Sequence, residues 1–450
     1  MEAEEAFSES TCAPTLIGAA SRARQNARPI EIAVRAWLEL LGPDLLSRNN
    51  SYVENLLSKA PKRWVVYSPM VLLPPGSFGR QWWEAVRSEQ VASRHAVELW
   101  TLLLENIGKR EGKGPLTHLA VNAGIPLHKD PSQGLGSQGP LMLAKDDDSQ
   151  GNAKRTSRKK SDQGPDFDGE RLVESIENIL RTPSGLIMLH GDFGSFLSPE
   201  TVPTEKDFED AFWVSTKQNG IIQVWAPRYT MFSRGNVKEK ARLLDFHSSD
   251  QSLESRRLAK ENVANNSAVD LYAGIGYFVF SYLKLGLRRV IGWELNPWSV
   301  EGLRRGAVAN GWSVKIIRSH EVLDLGEGGQ IVVVLGDNRD AARRLRGPCR
   351  YALGGIIHVN CGLLPSSEDS WGMSLEILDG DGWLHLHENV GVKDVLARRA
   401  AIEELILCWL KKTGDQRSAN VEHVEYVKTF APGVWHCVFD VYISRPGTPP

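Results

Sequence analysis

The chain has 450 residues, 42% of them apolar and 24% charged, and a formal net charge of −2. That is an ordinary globular balance, long enough for a catalytic domain and a smaller unit, and it excludes nucleic-acid binding through overall charge; such a partner would need a local basic patch. Cys12, Cys349, Cys361, Cys408 and Cys437 are scattered, odd in number and form no C-x-x-C pair, so no zinc site or disulfide framework is expected. The acidic start Met1-Glu-Ala-Glu-Glu5 lacks the apolar stretch of a signal peptide, and no apolar run is long enough to span a membrane, so a reducing, cytoplasmic setting is expected.

Residues 1–25 are small and polar and are expected to be disordered. Residues 26–130 read as an N-terminal α+β domain. Ile30, Ile32, Val34, Trp37, Leu38 and Leu41 are spaced for an amphipathic helix over 29–41. A short helix over 52–58, strands over 62–67 and 70–74 around a proline turn, and a helix over 82–106 follow. Residues 131–169 are rich in Gly, Ser, Gln, Asp and Lys and predict a disordered linker. Its basic cluster, Lys154-Arg155 and Arg158-Lys-Lys160, could touch RNA or act as an import signal, but a solvated linker is the simpler reading.

Residues 170–245 form a connecting segment, with a helix from about Arg171, a strand over 186–189, and then Arg228, Arg234, Lys238, Lys240 and Arg242. These cations fit either a turn into a basic helix or a site facing an anionic ligand, phosphate or carboxylate.

The most informative stretch opens the last region, 246–450. It reads as strand, glycine turn, helix, strand and acidic end. A strand over 268–272 carries Asp270, Gly274 and Gly276 supply the turn, and a helix over 278–287 stops at Gly286. A second strand over 289–293 ends at Glu294, where a carboxylate can accept both hydroxyls of a ribose. The third position beyond Gly276 is Val279, so the dinucleotide pattern G-x-G-x-x-G is not met. An Asp before G-x-G resembles instead the first motif of class I S-adenosylmethionine-dependent transferases; alone, it is also compatible with an ordinary βαβ turn that binds nothing. Further strands are predicted over 331–335, ending at Asp337-Asn338, and over 355–359, ending at His358 to Asn360. Asp337 and Asn338 suit an adenine edge or a plain turn. A strand over 383–388, a helix over 392–412 and a final antiparallel pair around Ala431-Pro-Gly433 complete an α/β domain of the class I transferase type.

Taken in order, Met231 to Lys240, Asp270 to Gly276, Glu294 to Pro297, Gly336 to Arg339, His358 to Ser367 and His385 to Asn389 resemble the tRNA wybutosine-synthesising protein 2 family, relatives of the tRNA guanine-N1 methyltransferases of archaea and eukaryotes. The resemblance runs from about Pro183 to Arg445, with a further likeness over 62–78. It implies transfer of a 3-amino-3-carboxypropyl group from S-adenosyl-L-methionine to C7 of 4-demethylwyosine at position 37 of tRNA-Phe, releasing methylthioadenosine. By motif, Ser233 and Lys240 would contact this co-substrate, Glu294 its ribose, and Asp337 and Asn338 its adenine, beside the Asp270, Gly274 and Gly276 turn. Asn360 and His358 are the candidates for a catalytic role, with His385 and His387 also able to handle protons. The methyltransferase relatives carry Asn-Leu-Pro at that strand end, whereas here Cys361-Gly-Leu-Leu364 separates Asn360 from Pro365. A tRNA guanine-37 N1-methyltransferase and a non-catalytic tRNA-binding module are the two rival readings. The sequence calls for neither a metal nor a membrane partner and leaves the oligomeric state open.

Overall fold

The computed structural model describes residues 28–41, 50–79, 82, 93–112, 114–122, 128–129, 176–177, 186–248, 256–326, 329–346, 353–378 and 380–446. The first helix, Pro29–Leu40, opens on a proline, whose missing N–H is harmless in a first turn, and buries Ile30, Ala33, Val34, Trp37 and Leu38. It packs against the helix Ser93–Glu111. Together with the helix Asn50–Lys59, these two put their apolar faces into one core with strands β1 (Val65–Tyr67), β2 (Met70–Leu73) and β3 (His118–Val121). The expected helix over 82–106 is described from Ser93 onward, and residues 83–92 lie outside the described ones.

A short antiparallel pair follows, β4 (His128–Lys129) with β5 (Ile176–Glu177). Sequence predicts a helix from about Arg171; of that stretch only Ile176 and Glu177 are described, and pairing across the chain holds these two as strand. The expectations for 1–25 and 131–169, including the basic cluster, lie outside the described residues. β6 (Ile187–His190) then completes a four-stranded sheet in the order β1-β2-β3-β6.

The hairpin β7 (Val214–Gln218) and β8 (Ile221–Trp225) is new relative to the sequence reading. Its signal was present, since Asn219 and Gly220 both take positive φ, as a two-residue hairpin turn requires. Trp225 and Val214 join Tyr67, Met70, Phe193 and Ile275 in one apolar cluster, which ties the N-terminal sheet to the glycine turn of the next domain.

That domain is built on an eight-stranded sheet. Its strands are β9 (Ser267–Asp270), β10 (Arg289–Glu294), β11 (Val314–Arg318), β12 (Ile331–Leu335), β13 (Ile356–Cys361), β14 (Gly382–Gly391), β15 (Ser418–Ala431) and β16 (Val434–Ser444). They lie in the order β11-β12-β10-β9-β13-β14-β16-β15. The first six are parallel and β16 runs antiparallel between β14 and β15. This is the α/β, Rossmann-like arrangement of the class I S-adenosylmethionine-dependent transferases, with β11 added at one edge. β12 is apolar throughout and β9 is fully buried because both sheet faces are covered. The turn of strand order falls between β10, β9 and β13, so the crevice opens beyond Asp270, Glu294 and Asn360.

Candidate co-substrate site

The helix Val279–Leu285 ends at Gly286 in a left-handed conformation, and Asn296 caps the next helix, Pro297–Ala309, by accepting from the Trp298 amide. These two stops fix the loops around the crevice. Between β9 and the first helix, Gly274 and Gly276 adopt φ of 55° and 88°. A Cβ at Gly274 would lie 2.9 Å from the Tyr277 ring, and one at Gly276 2.6 Å from the Phe280 ring, so only glycine fits this turn.

Glu294 holds the turn together. One carboxylate oxygen accepts from the Gly274 amide and the other from the Asn296 amide, both at 2.8 Å. Burial raises its pKa despite those two donors. Each oxygen keeps a further lone pair, so Glu294 is braced yet still able to accept hydroxyls.

Asp270, at the end of β9, is fully buried. Its Oδ1 accepts from the Tyr272 amide at 3.1 Å and from Asn360 Nδ2 at 3.0 Å, while Oδ2 has no partner among the described residues. Burial pushes its carboxyl up to about 6, and the nearby Glu294 adds to the rise. An unpartnered buried carboxylate oxygen beside a turn that excludes side chains fits a ligand with a positively charged end.

Asn360 is braced from both sides. Its Nδ2 faces Asp270, so its Oδ1 faces His387 Nε2 at 3.2 Å, and His387 Nδ1 in turn faces His436 Nε2 at 2.9 Å. Because Oδ1 can only accept, His387 carries its proton on Nε2 and accepts from His436. Asn338 donates to the Leu271 carbonyl at 2.8 Å, next to Asp270. Asp337 is exposed and caps its own turn by accepting from the Arg339 amide at 2.8 Å.

Ser233 reaches the same place through Tyr277. Its amide donates to the Tyr277 hydroxyl at 3.0 Å, and that hydroxyl donates to the Met231 carbonyl at 2.6 Å. Lys240 is 3% exposed and held by the side-chain carbonyls of Gln218 and Gln223 at 2.7 and 2.8 Å. Its ammonium sits 5.1 Å from the Phe232 ring centre and 5.8 Å from that of Tyr277. Burial pushes it down to about 8, and no carboxylate pairs with it among the described residues. The two glutamines escaped the sequence reading because the hairpin carrying them did.

His358 takes another position. It is fully buried, with both ring nitrogens engaged. Leu258 N donates to His247 Nδ1 at 3.3 Å, His247 Nε2 donates to His358 Nε2 at 3.0 Å, His358 Nδ1 donates to His385 Nε2 at 2.9 Å, and His385 Nδ1 donates to Asp440 Oδ1 at 2.7 Å. Arg242 then bridges Asp440 and Glu239. Arg242 therefore serves the fold, not an anionic ligand as its place in the basic cluster suggested. Lys238 likewise pairs with Glu425. Among the described residues no helix is long and apolar enough to cross a membrane, and no group of three or more His, Cys, Asp or Glu is placed to hold a metal ion.

No family model matches the chain. The tRNA wybutosine-synthesizing protein 2 of Schizosaccharomyces pombe is 35% identical over 384 residues, covering 85% of this chain and 72% of that protein. The protein of the same name from Saccharomyces cerevisiae is 36% identical over 256 residues, covering 53% of this chain and 50% of that one. Among solved structures, P. horikoshii TYW2 in complex with MeSAdo is similar with a TM-score of 0.48 and 17% identity, covering 90% of this chain and 99% of that chain. The identity and coverage shared with the S. pombe protein place this chain in the tRNA wybutosine-synthesizing protein 2 family.

Proposed function

We propose that this protein is an S-adenosylmethionine-dependent aminocarboxypropyltransferase acting on tRNA, and that its acceptor is C7 of 4-demethylwyosine at position 37 of tRNA-Phe. The observation that carries the reading is the Asp270–Glu294 pair at the crevice, set in a chain that belongs to this family. When bound, the co-substrate would supply a sulfonium whose bond to the aminocarboxypropyl Cγ breaks as C7 attacks, the electron pair leaving on sulfur as methylthioadenosine and the C7 proton passing to solvent.

The chain's own residues orient and select. Glu294, braced by the Gly274 and Asn296 amides, takes the ribose hydroxyls. Asp337 and Asn338 border the adenine side at the end of β12. Asp270 Oδ2 faces the positive end, and Ser233 and Lys240 approach from the Tyr277 side. Selection among the three carbons on sulfur then depends on how the amino-acid end is held, because in-line displacement tolerates little misplacement. The N-terminal α+β unit, whose sheet is completed by β6, is suited to help hold the tRNA, since it is joined to the glycine turn through Tyr67, Trp225 and Ile275.

Two measurements test this. Incubation with S-adenosylmethionine and hypomodified tRNA should yield methylthioadenosine and tRNA heavier by an aminocarboxypropyl group. S-adenosylhomocysteine with methylated tRNA would instead establish the guanine-N1 methyltransferase reading. Glu294→Ala should weaken co-substrate binding by about 1.5–3 kcal/mol, the scale of a lost charge-assisted hydrogen bond. Unchanged affinity by calorimetry would remove Glu294 from the site.

A further inference from the structure

Lys428 is a lysine the motifs do not mention. It lies on β15, and the pairing of β15 with β16 slips on both sides of it, between Tyr426 and Lys428 and again between Thr429 and Ala431. Such bulges re-aim a side chain out of a regular ladder. Here the ammonium is brought to 3.1 Å from Ser233 Oγ, whose own proton goes to Asn236 Oδ1 at the same distance. The stem of Lys428 occupies the space where a side chain at Gly235 would stand, although Gly235 has no left-handed φ to require glycine. Gly235 is thus a glycine of close approach, and what approaches is Lys428.

The charge around Lys428 is unbalanced. Among the described residues no carboxylate pairs with it or with Lys240. Glu425, three residues away, is committed to Lys238 and His423. His436, opposite in register, is pushed down to about 4 by burial and by Lys428, and is therefore neutral. Two partly desolvated ammonium groups then flank the Ser233–Tyr277 link with no negative charge to answer them. Charges held away from water are ordinarily paired.

We propose that Lys428 is a binding residue of the co-substrate site and, with Ser233 and Lys240, takes the carboxylate at the amino-acid end of S-adenosylmethionine. This rests on the co-substrate reading above and extends it to a residue on the far hairpin. The site then grips the amino-acid end from three elements, the turn at Ser233, the helix Val237–Leu244 that carries Lys240, and strand β15.

The test compares two ligands by calorimetry on the full chain. S-adenosylmethionine carries the carboxylate and methylthioadenosine does not. Lys428→Met should weaken S-adenosylmethionine about ten- to a hundredfold, the range of one charge-assisted contact, and leave methylthioadenosine within about threefold. Lys428→Arg, which keeps the charge, should recover most of the loss. If Lys428→Met does not fold, Lys428→Gln is read by the same ratio. An unchanged ratio of the two affinities overturns the proposal while leaving the co-substrate reading intact. An unchanged ratio with a raised KM for tRNA would also overturn it and assign Lys428 to a phosphate. If the unaltered protein binds neither ligand, both the reading and the proposal fall.

Discussion

Mild acid should destabilise this protein. Four histidines, His247, His358, His387 and His436, are held neutral in the fold, His247 and His436 at about 4 and the other two well below their ordinary value. Burial is the first cause in each case, and neighbouring cations or histidines add to it. The unfolded chain takes up these protons near 6.5, the ordinary histidine value. A histidine depressed in this way stabilises the fold above that pH, and the stabilisation drains as pH falls toward the folded value. His247 and His436 each contribute a slope of about 1.4 kcal/mol per pH unit between roughly 6.5 and 4. From pH 7.5 to 5.5 these two should remove about 2.7 kcal/mol, and His358 and His387 act in the same direction. Asp270 works in the opposite direction, since its carboxyl is held at about 6, but it returns less than about 1 kcal/mol over that interval. Urea denaturation at the two pH values measures the difference. A midpoint that stays in place would mean the histidines are not neutral in the fold.

The directed chain from Leu258 N through His247, His358 and His385 to Asp440 explains why His247 and His358 refuse their protons. Each ring accepts on one nitrogen and donates on the other, and the last donor meets a carboxylate already bound by Arg242. A further proton would put donor against donor. Sequence offered His358, His385 and His387 as possible proton handlers at a strand end. What it could not supply was the partner list, because Asp440 lies 55 residues beyond His385 and meets it only through the β14–β16 register.

Much else was legible for a local reason. Asp270, the two glycines, Gly286, Glu294 and the Asn296-Pro297 cap lie within one βαβ unit, where strand period, turn and cap chemistry all point the same way. The strand 331–335 and the closing hairpin were plain from their apolar runs and the Pro-Gly turn. The residues that escaped act across long separations. Gln218 and Gln223 hold Lys240 from a hairpin whose Asn-Gly turn went unused, and Lys428 meets Ser233 across 195 positions by way of two bulges. Bulges leave no periodic trace in a single strand, so no pattern of apolar residues could have aimed Lys428.

Asp270→Asn should make the ligand-free protein more stable and a poorer binder. Holding a buried carboxyl at about 6 instead of its ordinary 3.8 penalises the charged fold by about 3 kcal/mol at pH 8. The sign follows from the raised value: the penalty is absent well below 3.8, develops between 3.8 and 6, and is complete above 6. An amide keeps an oxygen for the Tyr272 and Asn360 donors and carries no charge to desolvate. The gain should therefore approach 3 kcal/mol at pH 8 and fall to about half that at pH 5. The same change removes the negative charge behind Oδ2, the buried oxygen that has no partner among the described residues. Affinity for S-adenosylmethionine should drop by at least about tenfold, so saturating co-substrate should stabilise the parent protein more than the variant. Denaturation curves with and without co-substrate, at both pH values, read all of this in one series. A variant that folds but is less stable than its parent at pH 8 would mean that Asp270 is already balanced inside the fold. In that case its free oxygen would not be what receives the ligand.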